Sequence, residues 1–498
     1  MSQRQKTSNR LKWCFLMNPA PLVIEFFGKL AKEIVESGDE YIVVANSKMA
    51  EYAKMKYFPK DAKFFSEVDW CINNYKKNQK EFQGLSWKEF FPEFDRFNRF
   101  KLYDFNYCNS AEIVAQSYQF ADFIFQREKP DVIVAEPPTG IFNGLFYFLS
   151  KKYRKAYLGL LDSRIKDRFD IYDLEFTCSK YKETFRELKN DNISKKEKKF
   201  AQDFIRQFIS HKQLPPYMDF QKEHLEKGEI GRIMGYLKRE KEMVHHYFKY
   251  FSRRKYFKAY DYYSEFLINY IFRYPWKGLK SRFRILLQRN ISDSLDNEYK
   301  FYLYPLQFEP EASTSVQAMY FCNQLNTIRN IAFSLPFPYK LYVKEHPSAV
   351  GTRTTDFYRR VKEIPNIVLI SPYENVENLI KKSQGVIVLT TTIGIEAALI
   401  GKPVYVLGNV FYSYHPVCQK ISNFDELKEK IQRDSMDKPT IQNLEDINIR
   451  FIVSYFINTI AGDIATACSK NDTNDYKSIY KEIKRIFLDN RYERGNLI

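Results

Sequence analysis

A chain of 498 residues is long enough for about three domain-sized units, and 44% apolar content is sufficient for real cores. Its net charge of +17 is uneven: 26 Lys and Arg against 13 Asp and Glu fall within residues 181–290, which argues against a globally basic nucleic-acid binder and for a locally basic insertion. Seven dispersed cysteines without a C-x-x-C pair argue against a disulfide framework or a zinc site, and for reduced thiols in a cytoplasmic protein.

In chain order, residues 13–17 read as a buried strand, 24–35 as an amphipathic helix closed by Ser37-Gly38, and 41–45 as the next strand. This is the β-α-β opening of a doubly wound sheet. The turn Asn18-Pro19-Ala20-Pro21 lacks G-x-G-x-x-G, so no dinucleotide fingerprint is present. Residues 49–109 form an aromatic-rich excursion. A helix over 111–127, a strand over 131–135, a helix over 142–152 and a strand over 156–160 follow, leaving Glu136 and Asp162 at strand ends. No secretory signal is evident near the start, and no uncharged apolar run approaches the roughly 18–20 residues that span a bilayer.

Over 181–290 strand signals vanish and Lys, Arg and aromatic residues mix at helical spacing. Residues 247–272 and 276–289 are patterned as basic amphipathic helices, suited either to a solvated hairpin or to an anionic lipid surface. From Lys300 the alternation is clear: strands over 301–306, 341–343, 367–370, 386–389 and 404–407, with helices over 313–333, 357–363, 376–382 and 393–400 between them. That makes a complete parallel α/β domain. A helix over 424–433 and a helical tail over 444–486 close the chain. The expected division is 1–180, an insertion over 181–299, a second α/β domain over 300–440, and C-terminal helices over 441–498.

Two stretches of the second domain carry the chemistry. Lys344-Glu345-His346-Pro347 follows one strand and Thr390-Thr391-Thr392-Ile393-Gly394-Ile395-Glu396 another, at the carboxyl ends where open α/β sheets bind ligands. An imidazole at His346, which Pro347 holds extended, can donate to a phosphate or move a proton. Lys344 and Arg353 add positive charge. The threonines offer hydroxyls and successive amides ahead of a helix, Gly394 permits close backbone approach, and Glu396 is placed to accept from ribose hydroxyls. A plain Thr N-cap with a first-turn Glu is the structural alternative.

These motifs, with Tyr304-Pro305-Leu306-Gln307-Phe308-Glu309-Pro310-Glu311-Ala312-Ser313 before them and Gly401-Lys402-Pro403-Val404 after, resemble the ordered motifs of bacterial capsule polysaccharide biosynthesis glycosyltransferases, the Kdo transferases of capsule assembly among them. The resemblance covers about residues 301–416, is thinner over 131–169, and omits the basic middle. It implies a GT-B fold, two Rossmann-like domains facing a cleft, and a nucleotide-sugar donor such as CMP-Kdo or another CMP- or UDP-sugar. His346-Pro347 matches the motif that meets the donor phosphate, Thr390 to Thr392 match the hydroxyls on its other side, and Gln307, Glu309 and Glu311 match a segment facing the cleft. Where the related Kdo enzymes place a general base in an acidic-Asp-Gly context, this chain reads Leu161-Asp162-Ser163-Arg164.

The expected reaction is sugar transfer to a growing glycan or lipid-linked acceptor, with Asp162 first and Glu136 second as base, and with His346 and the threonines stabilising the leaving phosphate. No D-x-D triplet occurs, so no essential metal or other cofactor is expected, and substrate-borne Mg2+ stays open. Nucleic acid is not an expected partner. The rivals are a nucleotide-sugar epimerase, a polyol-phosphate transferase, and a non-catalytic assembly scaffold. The expected location is the cytoplasm, with the inner face of the cell membrane as a candidate surface.

Overall fold

A computed structural model describes residues 10–17, 21–46, 57–76, 84–100, 110–172, 179–210, 274–288, 291–294, 299–309, 311–437, 441–468 and 472–488. The basic stretch expected over 247–272 lies outside them. The chain forms two α/β units: one holds the described residues up to 172 and from 459 onward, the other those from 179 to 458.

The first unit is a seven-stranded sheet of β1 (Lys12–Met17), β2 (Glu40–Ala45), β3 (Phe64–Ser66), β4 (Val132–Ala135), β5 (Ala156–Asp162), β6 (Arg168–Tyr172) and β13 (Ile460–Ala461), in the order β13-β6-β5-β4-β1-β2-β3. β1 to β5 pair in parallel, and β6 returns antiparallel to β5 with Asp162 opposite Phe169. The central strands are apolar throughout because both faces are covered. Phe15, Phe26 and Val134 belong to one core and Cys14, Ile133 and Phe146 to the other, and each fully buried side chain of this size contributes about 1.5–3 kcal/mol. The helix Pro21–Glu36 begins on a proline and ends before Gly38, whose φ of 86° supplies the left-handed residue that closes it.

The second unit is a six-stranded, wholly parallel sheet: β7 (Phe301–Pro305), β8 (Lys340–Lys344), β9 (Ile367–Ile370), β10 (Gly385–Val388), β11 (Val404–Val406) and β12 (Cys418–Lys420), in the order β12-β11-β10-β7-β8-β9. The sequence shows five of these strands; the sixth, β12, is a half-exposed edge strand without the apolar run that marks a buried one. The single helix expected over 313–333 is instead three pieces, Ala312–Ser315, Met319–Phe321 and Gln324–Ser334. Asn323 caps the last piece by accepting from the Asn326 amide, and the Thr327 hydroxyl donates to the Phe321 carbonyl at 2.8 Å.

The ends of the expected insertion and tail sort by packing. Helices Ser179–Glu187 and Lys195–Ile209 lie on Leu444–Ile457 in the second unit, through Phe200 against Phe456 (4.7 Å between rings) and Arg450 bonded to the carbonyls of Phe185 and Leu188. The expected continuous tail is broken by β13 and a short turn at Ala465–Cys468. Its last helix, Tyr476–Leu488, covers the first sheet, with Tyr480 edge-on to Trp13 and Lys484 paired to Asp39 at 2.7 Å.

Candidate active site

Three adjacent parallel strands, β10, β7 and β8, present the candidate residues at one edge of the second sheet. Strand order reverses between β7 and β10, the position in an open α/β sheet where connections diverge and ligands bind.

The loop after β7 joins the other two. Gln307 is buried, with its backbone amide donating to Gln324 Oε1 at 2.7 Å and its carbonyl accepting from Gln324 Nε2 at 3.2 Å. The orientation of the Gln307 amide that satisfies both of its ends turns its oxygen to the backbone amides of Thr390 and Thr391, each 3.1 Å away. On the β8 side, Arg353 donates through Nη2 to the Gln307 carbonyl, through Nη1 to Glu309 Oε2 at 2.7 Å, and through Nε to Glu345 Oε2 at 2.9 Å. Tyr358 donates to the same Glu345 oxygen at 2.7 Å, and Gln324 to Glu309 Oε2 at 2.5 Å.

Arg353 therefore departs from its expected place as a phosphate ligand: its guanidinium is drawn onto two carboxylates and stacked 5.0 Å over Phe357. Burial alone would lower its pKa, and Glu345 and Glu309 outweigh that and raise it, so the group stays charged. Lys344 is also turned inward, donating to the Pro372 carbonyl at 2.6 Å, with its pKa lowered by burial.

His346 is half-buried beside Phe308, with 5.8 Å between the rings, and its backbone amide donates to Glu345 Oε1 at 2.7 Å. Burial, then the Lys344 and Arg353 charges, lower the imidazole pKa and hold the ring neutral near pH 7. A neutral imidazole has one N–H to donate and one nitrogen to accept a proton. Pro347 is exposed and opens the turn Pro347–Ala349. Glu311, also exposed, accepts from the Ser313 hydroxyl at 2.8 Å.

The threonine run is partly taken up by the protein. Thr390 donates its hydroxyl to the Ser313 carbonyl at 3.0 Å, and the amides of Thr390 and Thr391 face Gln307. Thr392 is the N-cap residue of Ile393–Leu399 and makes no side-chain capping bond, contrary to the plain capping alternative. The Thr391 hydroxyl is buried without a partner. Two further unpartnered buried hydroxyls, Tyr304 and Thr314, lie on β7 and in the short helix after it, and the first unit holds such atoms too, Asn46 Oδ1 just past β2 among them. Gly394 does need to be glycine, but for Tyr412: a Cβ there would lie 2.4 Å from the Tyr412 hydroxyl, which donates to the Thr391 carbonyl at 2.5 Å. Glu396 is buried rather than presented to a ribose, and burial, then Glu377, push its carboxyl up to about 8, leaving it protonated at pH 7.

In the first unit Glu136 is half-buried just past β4, and its carbonyl accepts from the Tyr157 hydroxyl at 2.9 Å. Asp162 caps the C-terminal segment: its two oxygens accept from the amides of Ile464 (2.8 Å) and Ala465 (3.1 Å). Burial, then Asp463, push its carboxyl up to about 7. The helix after β4, Ile141–Lys152, has its first amide bonded by the buried carboxylate of Glu93. Glu93, Gln324, Tyr358 and Tyr412 carry no sequence signal for these roles. Glu345 sits inside the quoted Lys-Glu-His-Pro motif, where its place between two expected ligands is the available clue.

Residues 236–438 match the family described as Capsule polysaccharide biosynthesis protein. No curated protein sequence matches the chain at a significant level. Among solved structures, the chain is similar to the β-Kdo 2,7 transferase of KpsC from Thermosulfurimonas dismutans, at 13% identity over 70% of this chain and 88% of that one, with a TM-score of 0.33. It is also similar to the S. aureus MnaA–UDP co-structure, at 13% identity over 98% of both chains with a TM-score of 0.28. It is similar as well to the UDP-GlcNAc 2-epimerase of Neisseria meningitidis bound to UDP-GlcNAc, at 13% identity over 90% of this chain and 98% of that one, with a TM-score of 0.23.

Proposed function

We infer, for a chain that belongs through residues 236–438 to the capsule polysaccharide biosynthesis proteins, that it transfers a sugar from a nucleotide-sugar donor, CMP-Kdo or a similar CMP- or UDP-sugar, to a growing surface glycan or its lipid-linked acceptor. The observation that carries this reading is the bonding of the β7, β8 and β10 loops around Gln307 inside the matched span, at the switch point of the sheet, with His346 after β8 and the unmet Thr391 hydroxyl after β10. The acceptor oxygen attacks the anomeric carbon as the bond from that carbon to the phosphate oxygen breaks. The imidazole N–H of His346 and the Thr391 hydroxyl donate to the departing phosphate, whose charge grows in the transition state. The acceptor proton passes to a general base, for which Asp162 and Glu136 are the candidates. Asp162 has both oxygens taken by amides, so acting as base would break that cap.

No essential metal enters this scheme, and transfer is expected to persist in chelator. The test incubates the purified chain with CMP- and UDP-sugars, with and without glycan acceptors. Nucleotide release that depends on acceptor supports transfer. Conversion of a UDP-sugar to its epimer without acceptor overturns it. No described helix is long and apolar enough to cross a membrane, and the inner membrane surface is the proposed site of the lipid-linked acceptor.

A further inference from the structure

The helix Tyr274–Leu287 is bonded to the second unit through one side. Ser281, Ile285 and Gln288 face the loop 350–353: Gln288 Nε2 donates to the Arg353 carbonyl at 3.0 Å, the Gly351 amide donates to Gln288 Oε1 at 3.3 Å, and Arg284 donates to the Thr352 carbonyl at 2.8 Å. The fit is close, since a Cβ at Gly351 would come within 2.6 Å of Ile285 Cγ1. On its other side Trp276, Leu279, Phe283, Leu286 and Leu287 recur at helical spacing and stand 57–70% exposed, four of them bordering an open groove whose far wall is Thr354 and Thr355. Single exposed apolar residues are ordinary, but five in one stripe are not.

The charge around the stripe says what covers it. Lys280 and Arg284 flank one border and Arg282 the other, and the helix has no acidic residue. Over 247–289 the sequence holds eleven Lys and Arg against two acidic residues, Asp261 and Glu265. A protein partner for such a face would need an apolar groove rimmed with acid. An anionic bilayer offers apolar depth under a plane of negative phosphates, with tryptophan and long basic side chains favoured at the boundary. We propose that Tyr274–Leu287 lies in the surface of an anionic phospholipid membrane, its Trp276-to-Leu287 stripe among the acyl chains and Lys280, Arg282 and Arg284 at the headgroups. The helix is about 21 Å long at 1.5 Å per residue, enough for all five apolar residues to enter together. It also rests on the loop that ends in Arg353, the residue holding Glu309 and Glu345, so the membrane contact is one loop from the candidate donor site.

This deepens the membrane part of the proposed function and is separable from sugar transfer, because vesicle binding is read without turnover. The full chain is sedimented with sucrose-loaded vesicles of phosphatidylglycerol and phosphatidylcholine, and with phosphatidylcholine alone, at low and high salt. The expected result is partitioning to the anionic vesicles that weakens by about tenfold or more at high salt. The exposed triple variant Leu279→Ser, Phe283→Ser, Leu286→Ser is expected to lower partitioning by about tenfold or more, with its unfolding temperature unchanged. A Trp276→Phe chain supplies the control for a blue shift of Trp276 emission on anionic vesicles. The inference is overturned by no sedimentation at low salt, by partitioning that the triple variant leaves intact, or by a concentration-dependent dimer that the same variant abolishes.

Discussion

The two sheets place polar residues at equivalent positions, the carboxyl ends of parallel strands on either side of an order reversal, and treat them differently. In the first sheet the anionic groups are answered by the chain itself: Glu93 bonds the helix start after β4, and Asp162 caps the turn ahead of Ala465–Cys468. In the second, the charges Arg353, Glu309 and Glu345 answer one another behind the loops, while the helix start after β10 has no side-chain cap and Thr391 keeps an unmet hydroxyl. Position at a strand end is thus shared by both sheets. Unmet buried polar atoms remain in both sheets, Asn46 Oδ1 after β2 as well as the Thr391 hydroxyl after β10, so what separates the candidate site from its counterpart is the helix start after β10 that no side chain caps.

The largest effect expected from breaking this contrast is at Arg353. Its side chain is 9% exposed and those of Glu309 and Glu345 are 7% and 4% exposed, so removing the cation leaves two carboxylates buried together. Arg353→Met is expected to cost about 3–5 kcal/mol in chemical denaturation and to release the Gln307 loop. Restored stability in Arg353→Met with Glu309→Gln and Glu345→Gln would show that uncompensated charge is the cause. A loss below about 1 kcal/mol would mean that the network does not hold the loops.

His346→Ala tests the second sheet's chemistry. Loss of one donor to the leaving phosphate is expected to lower kcat by about 10²–10³ with little change in unfolding temperature, since the ring is half-buried and lies tilted beside Phe308. An equal loss in stability and turnover would make His346 a packing residue.

How much of this was readable in sequence follows from the range of the forces involved. Buried parallel strands announce themselves by local runs such as Val386-Ile387-Val388, and the His346 and Thr390–Thr392 loops follow those runs directly. The strand β6 also alternates polar and apolar side chains, Arg168-Phe169-Asp170-Ile171-Tyr172, a period-2 signal that a search for fully apolar runs passes over. What no local pattern could supply is pairing at long range. Asp162 meets Ile464 across 302 residues, and Arg353 meets the Gln307 carbonyl across 46. Residue type supplied the charge at Arg353; the fold directs it to the internal carboxylates of Glu309 and Glu345.

Asp162→Asn sharpens the reading of the first sheet. An amide in place of the carboxylate offers one oxygen where two N–H groups now donate, so a loss of about 1–3 kcal/mol is expected. The pH sign is fixed by the direction of the shift. The folded carboxyl is raised from the usual 3.8 to about 7, so its contribution is complete below about pH 4 and is lost as pH rises through 7. The wild-type unfolding temperature should therefore fall between pH 5 and 8 more steeply than that of Asp162→Asn. Transfer per folded molecule should survive if Asp162 is a cap; a drop of about 10² or more would return it to the role of general base.

The smallest effect, and the one that joins electrostatics to the candidate ligand, is in binding. Burial and two neighbouring cations lower the His346 pKa in the free protein. A bound donor phosphate would reverse the local sign of charge and raise it. A group whose pKa rises on binding takes up a proton, so affinity must increase as pH falls. The expected gain from pH 8 to 6 is below about tenfold, the equivalent of one pKa unit. Nucleotide sugars are the proper ligands because their esterified phosphates do not titrate in this range. Calorimetry in two buffers of different ionisation enthalpy should show proton uptake by the wild type and none by His346→Gln. Uptake that persists in the variant would assign the proton elsewhere and remove the imidazole from contact with the donor phosphate.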